Sequence, residues 1–163
     1  PNLVLGKVKL GGENFIRGKS VNYNIVRLSP IYGRGTAVRP SFLDRLRMQL
    51  DRKQRIEMPG NALHSFAPAP GAIDFIVRLV DGGPKNKILH YGGLTKVTYV
   101  EFARKFAMRF GYDPDLIVET KTRSPQLLDY SLNSTYVTQN LKIQPLLLEE
   151  GFDLIEKQLV PGT

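Results

Sequence analysis

Apolar positions recur along this chain at helical spacing in some stretches and without a break in others. From Leu3 to Ile16, the residues Leu3, Val4, Val8, Leu10 and Phe15 share a broad apolar side, with Lys7, Lys9 and Glu13 between them, which predicts a helix. Gly18 should end it. Tyr23, Ile25, Val26 and Leu28 then run close together, as in a strand buried on both faces. Ser29-Pro30 stops that strand, because proline has no N–H for a ladder, and Tyr32-Gly33-Arg34-Gly35 makes a glycine-rich turn. A second helix is predicted over Val38–Asp51 from the stripe Phe42, Leu46 and Leu50, with Leu43 beside it. Arg55–Met58 reads as a short strand closed by Pro59-Gly60.

The second half continues the pattern. Pro70 or Gly71 opens a helix to Val80, and Ile73, Phe75, Ile76, Val77, Leu79 and Val80 make it apolar almost all round, so it should be well buried. Asp81-Gly82-Gly83-Pro84 ends it. Ile88–Tyr91 is a strand running into Gly92-Gly93, a pair that reads as a turn because its spacing matches neither the dinucleotide nor the P-loop fingerprint. Thr98 and Glu101 form a capping box, opening a helix with Phe102, Phe106 and Phe110 on its core side and Gly111 as its C-cap. A turn of helix over Asp113–Leu116 leads to a strand over Ile117–Thr122, and Arg123-Ser124-Pro125 begins a loop. Ser134 should cap a short helix through Asn140. The last helix starts at Pro145 or Leu146 and ends at Leu159, burying Leu148, Phe152, Ile155 and Leu159.

Composition narrows the picture. A length of 163 residues sets one domain, or one with a small lobe. No apolar run approaches the roughly 20 residues that cross a bilayer. The absence of Cys excludes a disulfide framework, a thiolate nucleophile and Cys-based metal sites, and makes a reducing cytoplasm the default. The net charge of +8 admits nucleic acid, an anionic small ligand or nothing specific. Nucleic-acid binding would need the cations on one face, and they are dispersed along the chain, so that partner is not expected. The chain starts at Pro1 rather than Met and reads as the later part of something longer.

Candidate chemistry gathers at the carboxyl ends of strands, where open α/β sheets bind ligands. Ser29, Pro30, Tyr32 and Arg34 follow the first strand. Arg39, Arg45, Arg47, Arg52 and Lys53 form either a solvated helix face or, through one or two of them, a phosphate contact. His64, in the loop Asn61–Pro70, suits a general base or a hydrogen-bond donor, or is a satisfied polar residue. Arg27 reads as structural, buried beside the turn.

Three stretches carry a resemblance to a family. Pro1–Glu13, PNLVLGKVKLGGE, resembles the segment P-x-N-x-Y-G-K-T-K-L-x-G-E of extended short-chain dehydrogenases of the dTDP-4-dehydrorhamnose reductase type, within the nucleotide-sugar reductases and epimerases. Arg27–Gly33, RLSPIYG, resembles their R-x-S-x-x-Y-G, and Ser131–Glu150 their closing S-L-(D/N)-x-(S/T) … L-E-E-G. The resemblance implies an α/β fold: the C-terminal substrate-binding portion, with short parallel strands, covering helices and no Rossmann N-terminal half. Residues 1–35 would be the last helix and strand of the Rossmann-type core, and 36–163 the substrate lobe. It implies NAD or NADP as cofactor, a nucleotide sugar as substrate, and a Rossmann half or another partner, with a homodimer possible, on the face left open. Lys9 takes the place of the family's catalytic lysine on the nicotinamide ribose. Leu5 stands where the proton-transferring tyrosine is expected, so hydride-transfer chemistry should be impaired. Ser29, Pro30 and Tyr32 take positions that meet substrate or nicotinamide, and Arg34, Arg39 and His64 are candidate diphosphate or sugar contacts. A non-catalytic relative that binds a nucleotide or a partner protein is the alternative.

Overall fold

Among the described residues, eight short strands pair off two by two, and each of these pairs is parallel. The computed structural model describes residues 3–120 and 126–159. Helix α1 (Val4–Lys19) leads into β1 (Asn24–Leu28) and β2 (Ile31–Tyr32), followed by α2 (Phe42–Asp51), β3 (Ile56–Met58), β4 (Ala62–Leu63) and β5 (Ala67–Pro68). Then come α3 (Ala69–Val80), β6 (Lys87–Tyr91), α4 (Tyr99–Arg109), a 3-10 turn (Pro114–Leu116) and β7 (Ile117–Glu119). The chain ends with β8 (Leu128–Asp129), α5 (Thr135–Leu141) and α6 (Leu148–Leu159). β1 pairs with β6, Ile25 opposite Ile88 and Arg27 opposite His90. β2 pairs with β5, β3 with β7, and β4 with β8. Parallel neighbours need a crossover, and the helices between the paired strands supply it.

Two cores result. The larger joins α2, β3, α4, β7 and α6 around Leu43, Leu46, Phe102, Phe106, Phe152 and Ile155. The smaller joins α3, β5, β6 and α5 around Phe75, Leu89, Tyr91 and Val137, with Phe75 and Tyr91 stacked at 5.1 Å. The capping box forms as the sequence predicts. The Thr98 hydroxyl accepts from the Glu101 N–H at 3.2 Å, and the Glu101 carboxylate accepts from the Thr98 N–H at 2.7 Å.

Several boundaries and burials differ from expectation. α1 runs through Gly18 to Lys19 and buries none of its side chains. β1 is not buried on both faces: only Ile25 is fully covered, and Leu28 is exposed. α2 starts at Phe42 rather than Val38, because Ser41 and Asp44 make a second capping box there. α3 is buried on one side only. Ala72, Phe75 and Leu79 face the core, while Ile73, Ile76, Val77 and Val80 face solvent. An apolar patch of about 330 Å³ results, lined by Leu28, Ile31, Ile73, Ile76 and Val77. The last helix begins at Leu148, with Leu148, Phe152 and Ile155 buried. The side chain of Leu159, the end of the expected strand at Thr122 and the loop Arg123-Ser124-Pro125 lie outside the described residues.

Candidate functional site

The carboxyl ends of β4, β6 and β8 open into a polar cleft of about 640 Å³. Ser65 enters it just beyond β4, Gly93 and Lys96 beyond β6, and Asp129, Ser131 and Asn133 from β8 onward. Buried hydroxyls stitch its floor. Ser65 Oγ lies 3.2 Å from Ser29 Oγ and accepts from the Leu132 N–H at 3.0 Å. Ser134 does not cap α5. Its hydroxyl instead accepts from the Gly92 N–H at 3.0 Å and donates to the Gly92 carbonyl at 3.1 Å. A Cβ at Gly92 would overlap the Ser65 hydroxyl, so a side chain there would push this floor apart.

The rim carries charge. Lys96 Nζ and Asp129 Oδ2 pair at 2.9 Å. Ser131, through its side chain and its N–H, and then Lys96 hold the Asp129 carboxyl well below the usual range. Asp129 therefore stays ionised and the pair is neutral overall, leaving a cleft of hydroxyls and amides. Such groups suit a ligand rich in hydroxyls better than a bare anion.

His64 sits beside the cleft in an aromatic row. Its ring centroid lies 5.2 Å from Tyr99, 5.7 Å from Tyr130 and 5.8 Å from Phe66. Its backbone exchanges hydrogen bonds with Val97, N–H to carbonyl in each direction. Burial lowers the imidazole pKa, and the Asp129 charge opposes that only in part. The ring is thus neutral at pH 7, able to donate or accept one hydrogen bond.

The other candidate residues scatter. Ser29 is buried under the cleft against Ser65, and Pro30 is half-buried, its carbonyl accepting from the Ala67 N–H at 3.0 Å. Tyr32 is only 1% exposed and packs edge-on to Phe102 and Phe152, so its side chain belongs to the core and does not line the cleft. Burial, with the Glu149 charge, raises its hydroxyl pKa strongly. The turn-like Tyr-Gly-Arg-Gly signal concealed this, because Phe102 and Phe152 come from distant helices. Arg34 is exposed beside Asp44, and Arg39 is exposed with its N–H bonded to the Thr36 hydroxyl. Arg27 is structural as expected but not buried. Its guanidinium grips both Glu13 carboxylate oxygens and comes within 3.4 Å of His90 Nε2. Lys9 and Leu5 are both exposed on α1, and among the described residues no hydrogen bond or ion pair joins Lys9 to the cleft. Lys96, Asp129 and Thr138 carried no local signal, coming from separate loops and a helix face.

Parallel strands with a polar cleft at their carboxyl ends are the arrangement in which open α/β proteins bind ligands. The chain belongs to the family described as the RmlD substrate binding domain, whose model matches residues 1–149. Its fold is that of solved structures at low identity. The dTDP-4-dehydrorhamnose reductase of Bacillus anthracis, in complex with NADP, is 18% identical over 97% of this chain and 56% of its own, with a TM-score of 0.83. The reductase of Clostridium acetobutylicum is 17% identical over 98% and 56%, with a TM-score of 0.77. The UDP-glucose 4-epimerase of Thermotoga maritima, with UDP-glucose, is 17% identical over 94% and 52%, at 0.71. The chain spans about half the length of these structures. No curated protein matches it in sequence.

The described residues hold two glycine-bearing loops between a strand and a helix, Gly33–Gly35 after β2 and Gly92-Gly93 after β6; neither has the glycine spacing of the dinucleotide fingerprint, and position 5 is Leu. The described residues include no cluster of His, Asp or Glu able to hold a metal ion, and no helix long and apolar enough to cross a membrane.

Proposed function

We propose that this chain is the substrate-binding part of an NAD(P)-dependent nucleotide-sugar reductase or epimerase, the sugar lying in the cleft formed by Ser65, Lys96, Asp129, Ser131 and Asn133. The observation that carries the reading is the hydroxyl-lined cleft at the strand ends of a chain that belongs to a substrate-binding family. His64 is a hydrogen-bonding group at the edge of that site, neutral at pH 7. Arg34 and Arg39 are exposed cations assigned to the diphosphate or sugar by their position after the strand end, and Lys9 to the nicotinamide ribose by its place in the family motif. Ser29 acts beneath the site by fixing Ser65, and Pro30 by holding β5.

Leu5 has no ionisable group, so no proton reaches a sugar oxygen from position 5, and the chain by itself supplies no hydride-transfer step. The apolar patch of Leu28, Ile31 and α3 is the face on which a Rossmann half or a second copy packs, since exposed apolar faces of this kind mark interfaces. The cysteine-free sequence suits a reducing cytoplasm.

The test is calorimetric titration of the protein with UDP-glucose and with a dTDP-linked hexose. Binding of either, weakened at least fivefold by Asn133→Ala or Ser131→Ala but not by substitution at Val38, is expected. Absence of binding by any nucleotide sugar at millimolar concentration would overturn the reading.

A further inference from the structure

A second depression belongs neither to the cleft nor to the open face of α3. It runs along one side of α2 against β3, with a volume of about 560 Å³. Phe42, Leu46, Met48 and Met58 form its floor, and Arg45 and Arg52 its rim. We propose that this groove docks an acidic, amphipathic helical segment of a partner protein.

The floor is soft and apolar. Met48 and Met58 are two of only three methionines in the chain, and methionine adapts to irregular apolar partners. Phe42 anchors one end, packed edge-on to Tyr99 at 5.5 Å. From Phe42 to Arg52 the helix rises about 1.5 Å per residue, so the groove is roughly as long as three turns of a docked helix.

The rim is positive; Arg45 donates to the Pro40 carbonyl at 2.6 Å, which leaves its charge without a carboxylate. Among the described residues, no carboxylate forms an ion pair with Arg39, Arg45, Arg52, Lys53 or Arg55. The two acids of α2 itself are committed elsewhere. Asp44 accepts from the Gly35 and Ser41 N–H groups, and Asp51 accepts from the Tyr112 hydroxyl and faces Arg47. Charge complementarity therefore favours a carboxylate-bearing partner.

The groove suits a protein segment better than a small ligand. Small-molecule sites orient their ligand with a few placed polar groups. Here the polar groups are the ends of long side chains, with Arg45, Arg52 and Gln54 exposed, and no unpartnered buried polar atom points into it. An apolar floor with a charged rim is the requirement of helix-in-groove recognition.

Fluorescence anisotropy with the purified chain tests this. The probe is a labelled synthetic helical peptide of about fifteen residues, with leucines at i, i+3, i+4 and i+7 and glutamates on the other face; the control replaces each glutamate by lysine. The acidic peptide should bind at least tenfold tighter at low salt, and the preference should shrink as salt rises. The double variant Arg45→Glu/Arg52→Glu should remove the preference, Met48→Ser should weaken the acidic peptide's binding, and Asn133→Ala should change nothing. All these positions are exposed, and unchanged melting confirms that the variants fold. Equal binding of the two peptides, indifference to the Arg45/Arg52 variant, or displacement of the peptide by UDP-glucose would each overturn the proposal, the last by making the groove part of the sugar site.

Discussion

Gly151 and Tyr32 make the tightest contact between the last helix and the strand-end turn. Gly151 sits in α6, where an alanine should gain about 1 kcal/mol of helix propensity. A Cβ at that position, however, would overlap the Tyr32 hydroxyl, with the ring carbon Cζ at 3.0 Å and Pro68 Cγ at 3.3 Å. Tyr32 is held between Phe102 and Phe152 and has no room to yield. Overpacking of this kind costs about 1–3 kcal/mol, and because the Tyr32 ring is held on both sides the cost should fall toward the upper end, leaving Gly151→Ala net destabilising by up to about 2 kcal/mol despite the propensity gain. Tyr32→Phe removes the overlapping atom. It forfeits only a long hydrogen bond, Oη to the Leu148 carbonyl at 3.4 Å, and should cost less than about 1 kcal/mol. In the double variant, Cζ and Pro68 Cγ remain close, so recovery is partial. A double-mutant cycle by urea unfolding should show a favourable coupling of about 1 kcal/mol between the two substitutions. Additive effects, or a Gly151→Ala protein more stable than its parent, would refute the packing argument.

Other perturbations follow from the same structure. Ser65→Ala strands the buried Ser29 hydroxyl and the part-buried Leu132 N–H and should lower stability by about 1–3 kcal/mol, read as a fall in melting temperature. The Glu13–Arg27 pair is the only described hydrogen-bonded tie between α1 and β1. Hydrogen bonding from Arg27 depresses the Glu13 pKa below its ordinary 4.5. The stabilisation it brings is therefore present above that value and lost as pH falls through the depressed one. Amide exchange in α1 should accelerate in that acid range and be insensitive to it in Glu13→Gln. His64 should titrate below 6.5 by NMR, and Asp129→Asn should move its midpoint lower still, since the carboxylate favours the imidazolium; an upward shift would contradict the assignment.

Local signals in the sequence were legible and non-local ones were not. The Thr98–Glu101 box and the Phe102–Phe106 stripe could be read because each is settled within one or two turns of helix. The Ser41–Asp44 box was equally local, but the preceding Val38 drew the predicted start too early, and in the structure Val38 is 89% exposed. The unbroken apolar character of α3 pointed to burial, yet periodicity cannot separate a side chain facing a core from one facing an interface. The strand ends singled out in the sequence as the place for a ligand do open into a cleft. The cleft residues Lys96, Asp129 and Asn133 were not singled out one by one, because Lys96 reaches the β8 segment only through non-local contacts, the His64–Val97 bridge and the pairing of β4 with β8, which no local pattern encodes.

That pairing also governs how the chain can be assembled and cut. Each parallel pair joins strands separated by roughly 35 to 65 residues, so contact order is high and folding correspondingly slow. A chain cut short before β6 holds β1 without its β6 partner. The exposed turn between α3 and β6 divides β1, β3 and β4 from β6, β7 and β8. A single cut there would yield two pieces, each holding one strand of three of the four pairs. Neither piece could fold alone, and their recombination would report assembly directly: this lobe is a ready-made split reporter.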